Sequence, residues 1–270
     1  MQRCLAIFLL CLPLSGHAEP EQPLNIFVSI PPQQYLVQRI GAERVQVHVM
    51  LKPGHSPETY DPGPKQIALL TQAQIYFRIG VPFEHHWMPM LAAQNRAMLV
   101  VDCCSQLLKD GDPHIWTDPS NAKIIAGQIR DILSERDPDG APVYAANYLS
   151  LIADLDRLDR ETRARLQQRR TDFFIVSHGG WKYFADAYGL RQMALDEYGR
   201  EKGPRGLTEM VELAKREGIS RIFIQAQHPS GTAYTLAKEM DAKVVLIDNL
   251  AENYIENLYT VSRLIAEALQ

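Results

Sequence analysis

Short apolar runs alternate with stretches of helical periodicity through the first half of this chain. Leu24 to Ile30 reads as a buried strand, Pro31-Pro32 opens a helix through about Ile40, and Val45 to Leu51 is a second strand. A Pro/Gly/His loop from Lys52 to Gly63 precedes a helix over Lys65 to Gln72. The pattern then repeats with strand Ile75 to Ile79, helix Phe83 to Gln94, strand Met98 to Val101 and, after a long loop, a helix from about Ser120 to Arg136. Such alternation predicts a parallel sheet with helices on both faces, and in these sheets ligands bind beyond the carboxyl ends of the strands. The loops Pro53 to Pro62 and Asp102 to Pro119 both fall there.

The turn Asp137-Pro138-Asp139-Gly140 punctuates the chain, and the next stretch differs in kind. From Val143 to Arg170 there is neither Gly nor Pro, while Tyr144, Tyr148, Leu151, Ile152, Leu155, Leu158 and Leu166 recur at helical spacing. A helix over that span extends about 42 Å at 1.5 Å per residue, more than one domain needs. It is read as a spine between two lobes, with a charged surface helix or a coiled-coil partner as the alternatives. The alternation then restarts: strands Phe173 to Ser177, Arg191 to Asp196, Arg221 to Gln225 and Val244 to Ile247, and helices Trp181 to Tyr188, Leu207 to Glu217, Thr232 to Met240 and Asn253 to Leu269. The expected fold class is α/β, two similar lobes, each a mainly parallel sheet flanked by helices, joined by one long rigid helix. The expected divisions are residues 1–18 as a targeting segment, 19–137 as the first lobe, 138–170 as the linking helix and 171–270 as the second lobe.

The targeting reading rests on Arg3 as a short positive region, an apolar run from Cys4 to Leu14 too short to span a bilayer, and Gly16-His17-Ala18 as a small-x-small cleavage signal. Cys11 is a poor lipidation site because Leu10 precedes it where a small residue is wanted. Without Arg3 the 28 basic residues become 27 against 32 acidic ones, a net charge near −5. A mildly acidic chain argues against nucleic acid as a partner, because phosphate recognition needs basic surface. With 46% apolar residues the chain can fill two ordinary cores. Past the targeting segment only Cys103 and Cys104 remain. Adjacent cysteines bridge each other only with strain, so no disulfide framework is implied; the expectation is one buried and one partly exposed thiol, ahead of a thiolate metal site.

Candidate chemistry gathers at strand ends: His55 and Glu58 after the second strand, His114 after the fourth, His178 opening the first loop of the second lobe, and Asp248 closing its last strand. Pro113 fixes its own φ and restricts Asp112, so His114 has little backbone freedom to lose on binding. Imidazoles with carboxylates suit a divalent first-row metal, since neutral His and ionised Asp or Glu need no unusual proton chemistry at neutral pH. Strand-end histidines are common, however, and the spacing alone is weak.

The ordered motifs Pro53-Gly54-His55-Ser56-Pro57-Glu58-Thr59-Tyr60-Asp61-Pro62, Asp112-Pro113-His114-Ile115-Trp116, Ser177-His178-Gly179-Gly180-Trp181-Lys182-Tyr183-Phe184 and Leu246-Ile247-Asp248-Asn249-Leu250 strengthen it. Together they resemble the zinc and manganese solute-binding proteins of bacterial ABC importers, the cluster A-I or ZnuA/TroA-like family. Tyr188-Gly189-Leu190 and Ile222-Phe223-Ile224-Gln225-Ala226-Gln227 extend the likeness over nearly the whole chain. The resemblance implies a monomeric periplasmic receptor that holds one divalent ion, zinc ahead of manganese, at the lobe interface and delivers it to an inner-membrane ABC permease. It implies no enzymatic turnover.

One departure matters. The family's usual first motif has Pro-His-Thr where this chain has Pro57-Glu58-Thr59, with a histidine three residues earlier at His55. By register Glu58 inherits the ligand position; by chemistry His55 could reach in from the same loop. The first gives a two-His, two-carboxylate set, the second a three-His, one-Asp set that leans to zinc. Cys103 to Gly111 contains no histidine, so no accessory metal store is visible. His85 and His86, adjacent on a helix, cannot both face one ion, and His48 reads as a half-buried sheet residue. His228, at another strand end, is the one spare histidine to watch. Tyr60, Trp116, Trp181 and Tyr183 are expected to shield the site and pack the interface. The rival functions are a zinc-dependent hydrolase, which would need an open coordination position, and a metal-binding adhesin on the same fold.

Overall fold

The computed structural model describes residues 22–197 and 200–270, so the targeting segment expected over residues 1–18 lies outside the described residues. Strands β1 (Leu24–Val28), β2 (Val45–Val49), β3 (Ile75–Arg78) and β4 (Leu99–Asp102) pair in the order β2-β1-β3-β4, all parallel. Helices α1 (Pro31–Gly41), α2 (Pro64–Leu70), α3 (Pro82–Gln94) and α4 (Pro119–Arg136) connect and follow them. Each of these helices carries Pro in its first turn, where the missing N–H has no intrahelical acceptor to lose.

The second sheet is built from β5 (Phe173–His178), β6 (Arg191–Glu197), β7 (Arg200–Glu201), β8 (Arg221–Ile224) and β9 (Lys243–Leu246), in the order β7-β6-β5-β8-β9. Its pairings are parallel except for β7, a two-residue antiparallel edge against β6. Nothing in a run of Arg and Glu announces β7. Helices α6 (Lys182–Ala187), α7 (Pro204–Arg216), α8 (Gly231–Met240) and α9 (Tyr254–Leu269) complete the second lobe.

Between the lobes runs α5 (Ala141–Leu166), which at 26 residues is about 39 Å long. It begins slightly before the expected Val143 because Pro142 is tolerated in a first turn. It ends before the expected Arg170, whose backbone N–H donates to the Leu269 carbonyl at the end of α9. Buried Tyr144, Leu151, Leu155, Leu158 and Leu166 face α1, α4 and α9, and Arg39–Asp154 and Lys123–Asp156 ion pairs, each 2.7 Å, brace the exposed side.

The apolar core runs through this helix from one lobe to the other. Strand β5 is buried on both faces, so its side chains alternate between two apolar clusters: Phe173 and Ile175 pack with α7 and α8, whereas Phe174 and Val176 join a cluster that runs through α9 and α5 into the first lobe. A close-packed core shared across the lobes resists continuous sliding.

Candidate metal centre

Both sheets present the carboxyl ends of their strands to one region. Glu58 follows β2, His114 follows β4, His178 ends β5 and His228 follows β8. A cavity of about 90 Å³ is lined by Glu58, His114, His178 and His228, with Pro57, Val81 and Pro113 among its apolar walls. Glu58 and His114 come from the first lobe, His178 and His228 from the second.

The loop after β2 decides which side chain enters. Lys52 C=O accepts from the His55 N–H, Gly54 sits at φ +78°, and the Ser56 hydroxyl accepts from the Glu58 N–H at 3.2 Å. The outcome is that Glu58 Oε1 lies 3.1 Å from His178 Nε2, while His55 stays exposed, its ring edge-on to Tyr60 and its Nδ1 3.2 Å from the Pro53 carbonyl. His55 lines a separate groove together with Asp248 and Glu252. There the Asp248 Oδ1 accepts from Gln227 Nε2 at 3.1 Å and from the Leu250 N–H at 2.8 Å. Of the five residues singled out from the sequence, the structure therefore brings Glu58, His114 and His178 to one cavity and puts His55 and Asp248 in the neighbouring groove.

Each of the two expected histidines is held by a carboxylate. His178 is the register partner of Asp196 across β5 and β6, and its Nδ1 lies 3.3 Å from Asp196 Oδ2. His114 Nδ1 lies 2.7 Å from Asp112 Oδ1, which also accepts the His114 backbone N–H at 3.0 Å. A carboxylate on Nδ1 fixes the tautomer that leaves Nε2 as an electron-pair donor and raises its basicity. Asp196 and Asp112 thus orient the two candidate ligands, a role that the sequence pattern did not assign to them. The signal for Asp196 was its place at a strand end beside the His178 strand, legible only once strand order is known.

His228 completes the group. Ligand atoms of Glu58, His178 and His228 all lie within 4.8 Å of one another. The His228 ring stacks on His178 with centroids 3.9 Å apart and planes 2° from parallel, and the His114 ring meets His178 edge-on at 5.5 Å. The Ser56 hydroxyl lies 3.5 Å from His228 Nε2, a contact between the lobes.

Electrostatics agree with a cation site. Burial works against ionising Glu58, but the imidazoles of His178, His228 and His114 outweigh it and hold the carboxyl below its usual range. Burial also works against charging His178, and is overcome by Glu58 and Asp196, so its pKa is raised. His228 is lowered to about 4, by burial first and by the neighbouring His178 second.

The surroundings are closely packed and cross-linked by hydrogen bonds. Gly180 has no room for a side chain, since a Cβ there would lie 2.5 Å from Asn249 Nδ2, 3.0 Å from Gln225 Nε2 and 3.3 Å from His114 Cδ2. Trp116 Nε1 donates to the Asn249 carbonyl at 2.6 Å, and the Tyr254 hydroxyl donates to the Trp116 carbonyl at 2.5 Å, tying the His114 loop to the second lobe. From α6 the Tyr183 hydroxyl accepts the Lys109 N–H at 2.6 Å. Trp116, Trp181, Tyr183 and Tyr60 are all buried. On the first-lobe side, buried Glu84 accepts backbone N–H groups of Ile79 and Gly80, each at 2.8 Å, and so fixes the loop that walls the cavity; burial pushes its carboxyl up.

Among the other candidates, His85 is exposed at the cavity lip and His86 packs edge-on to Trp87. His48 is half-buried in β2, stacked on Phe27. Both Cys103 and Cys104 are buried, rather than one being partly exposed: the Cys104 Sγ packs against Gly80, where an added Cβ would lie 2.9 Å from it, and contacts Asp102 Oδ1 at 3.1 Å; burial pushes both thiols far up.

Known proteins share this architecture. Residues 26–268 match the family model ZnuA, zinc-uptake complex component A, periplasmic. The chain is 25% identical over 265 residues to a putative metal-binding protein of Chlamydia trachomatis, covering 96% of each. It is 27% identical over 224 residues to the manganese-binding lipoprotein MntA of Halalkalibacterium halodurans, covering 78% of this chain and 74% of that one. A crystal structure of ZnuA superposes with a TM-score of 0.88 at 36% identity, covering 92% of this chain and all of the other.

Proposed function

We propose that this chain, which belongs to the ZnuA family of periplasmic zinc-uptake components, captures a divalent transition metal between its lobes and delivers it to the permease of an ABC importer. The observation that carries the proposal is the meeting of Glu58 and His178 from opposite lobes at 3.1 Å, in a cavity that His114 also lines. A cation placed there bridges the lobes, so capture and lobe closure are one event. Glu58 supplies the carboxylate of the first motif, and His55 stays outside the coordination sphere.

Zinc is favoured over manganese because imidazole nitrogen dominates the donors and manganese prefers oxygen. The chain acts as a carrier and not as a catalyst, a reading supported by its membership of a zinc-uptake family; Asp112 and Asp196 preset the His114 and His178 donors in a small cavity. In this reading residues 1–18 are a cleaved export signal, residues 19–137 and 171–270 move about the 138–170 spine, and the receptor works in the periplasm as a monomer. The net acidic charge fits a role without nucleic acid.

Titration calorimetry on metal-free protein tests it. One equivalent of zinc bound tightly, with manganese bound more weakly, is the expected result. Failure to bind either ion overturns the proposal.

A further inference from the structure

We propose that His228 is a direct ligand of the captured ion, so that the cargo is held by three imidazoles, from His114, His178 and His228, and by the Glu58 carboxylate. The inference rests on the metal-receptor reading and deepens it by fixing the donor set, hence the class of cation.

Three observations carry it. The ligand atoms of His228, His178 and Glu58 fall within 4.8 Å of one another, near enough to share one ion after small side-chain adjustments. The side chains of His228, His178, Glu58 and His114 line one cavity. Among the described residues the one hydrogen-bonding contact of the His228 ring is with the Ser56 hydroxyl at 3.5 Å, beside its stacking on His178, whereas the other two imidazoles are each anchored by a carboxylate. Glu58, His114 and His178 alone are three donors, which for a tetrahedral ion leaves an open position; His228 fills it and closes the shell.

The stacking adds a mechanical consequence. An imidazole nitrogen donates along a lone pair that lies in the ring plane. The planes of His178 and His228 are 2° from parallel with centroids 3.9 Å apart, so an ion lying in the plane of one ring is out of the plane of the other. One ring must turn on loading. His178 is tied by Asp196 at the end of a central strand, while His228 sits in the turn after β8, so His228 turns. In doing so it gives up Ser56, one of the contacts that bridge the lobes before the ion arrives. His228 is therefore a latch from the second lobe that closes over an ion first met by the anchored donors.

Zinc and manganese titrations of the wild type, His228→Phe and His228→Ala test the proposal. Phe keeps a ring on His178 and removes the donor. The expected result is a loss of zinc affinity of about a hundredfold or more in both variants, exceeding the loss typical of an outer-sphere partner, with a much smaller change for manganese. X-ray absorption at the zinc edge counts the imidazoles; three in the wild type and in His55→Ala support the proposal, and two in the wild type overturn it. Wild-type zinc binding that both variants retain also overturns it, while leaving the receptor reading intact. Absence of zinc and manganese binding in the wild type removes both.

Discussion

His178 and Asp196 stand opposite each other in the parallel register of β5 and β6, with the imidazole Nδ1 3.3 Å from a carboxylate oxygen. The sheet itself therefore sets the tautomer of a candidate metal ligand. Asp196→Asn keeps the shape and removes the charge that raises the basicity of the ring. It should weaken zinc binding by about 10- to 100-fold with little change in metal-free melting. Calorimetry alongside a thermal melt checks this, and an unchanged affinity removes Asp196 from the site.

The loop after β2 offers a second test. Glu58→Ala should cost far more metal affinity than His55→Ala, because Glu58 reaches His178 while His55 is exposed and engaged with its own loop. The two variants titrated side by side with zinc and manganese decide it, and a reversed ranking would return the first ligand to His55.

Metal should also stabilise the fold. At a free concentration a thousand times the dissociation constant the gain is about 4 kcal/mol, which for a chain of this size raises the melting temperature by about 10 °C. The shift should vanish when chelator is added. A melt insensitive to zinc would count against capture between the lobes.

Gly180 approaches three residues of the site wall too closely for any side chain. Gly180→Ala should lower stability by roughly 1–3 kcal/mol and also weaken zinc binding, because Asn249, Gln225 and His114 must give way together. Denaturant unfolding and titration of the same variant test the two effects.

Far from the site, Asp137 accepts from Arg44 Nε at 2.6 Å and Nη2 at 2.8 Å and from the Tyr144 hydroxyl, joining the start of β2 to the entry of the spine. The Arg44 bonds hold its carboxyl at about 2. A depressed carboxyl contributes stability above its unfolded value and loses it as pH falls through the folded one, so this contribution fades between about pH 4 and pH 2. Asp137→Asn should cost roughly 1–3 kcal/mol at neutral pH and flatten the acid limb over that window. Stability measured against pH for both proteins tests the slope.

The alternation of apolar runs and helical periods was enough for the sequence to determine both parallel sheets and the helix between them, because burial on both strand faces leaves a pattern in the chain itself. The order of the motifs likewise marked His114 and His178. Tertiary structure alone decided which of these side chains meet in one cavity. Two residues of one loop, His55 and Glu58, differ in fate through the turn at Gly54 and Ser56. Asp248 sits at a strand end as expected, yet its Oδ1 is taken by Gln227 and Leu250. Strand order β5-β6 and β5-β8 brings Asp196 and His228 beside His178, residues that no local spacing links to it. Periodicity records which face of an element is buried, since that is settled within a few residues; which side chains meet across two lobes depends on sheet order and loop geometry, and these exist only after the chain has folded.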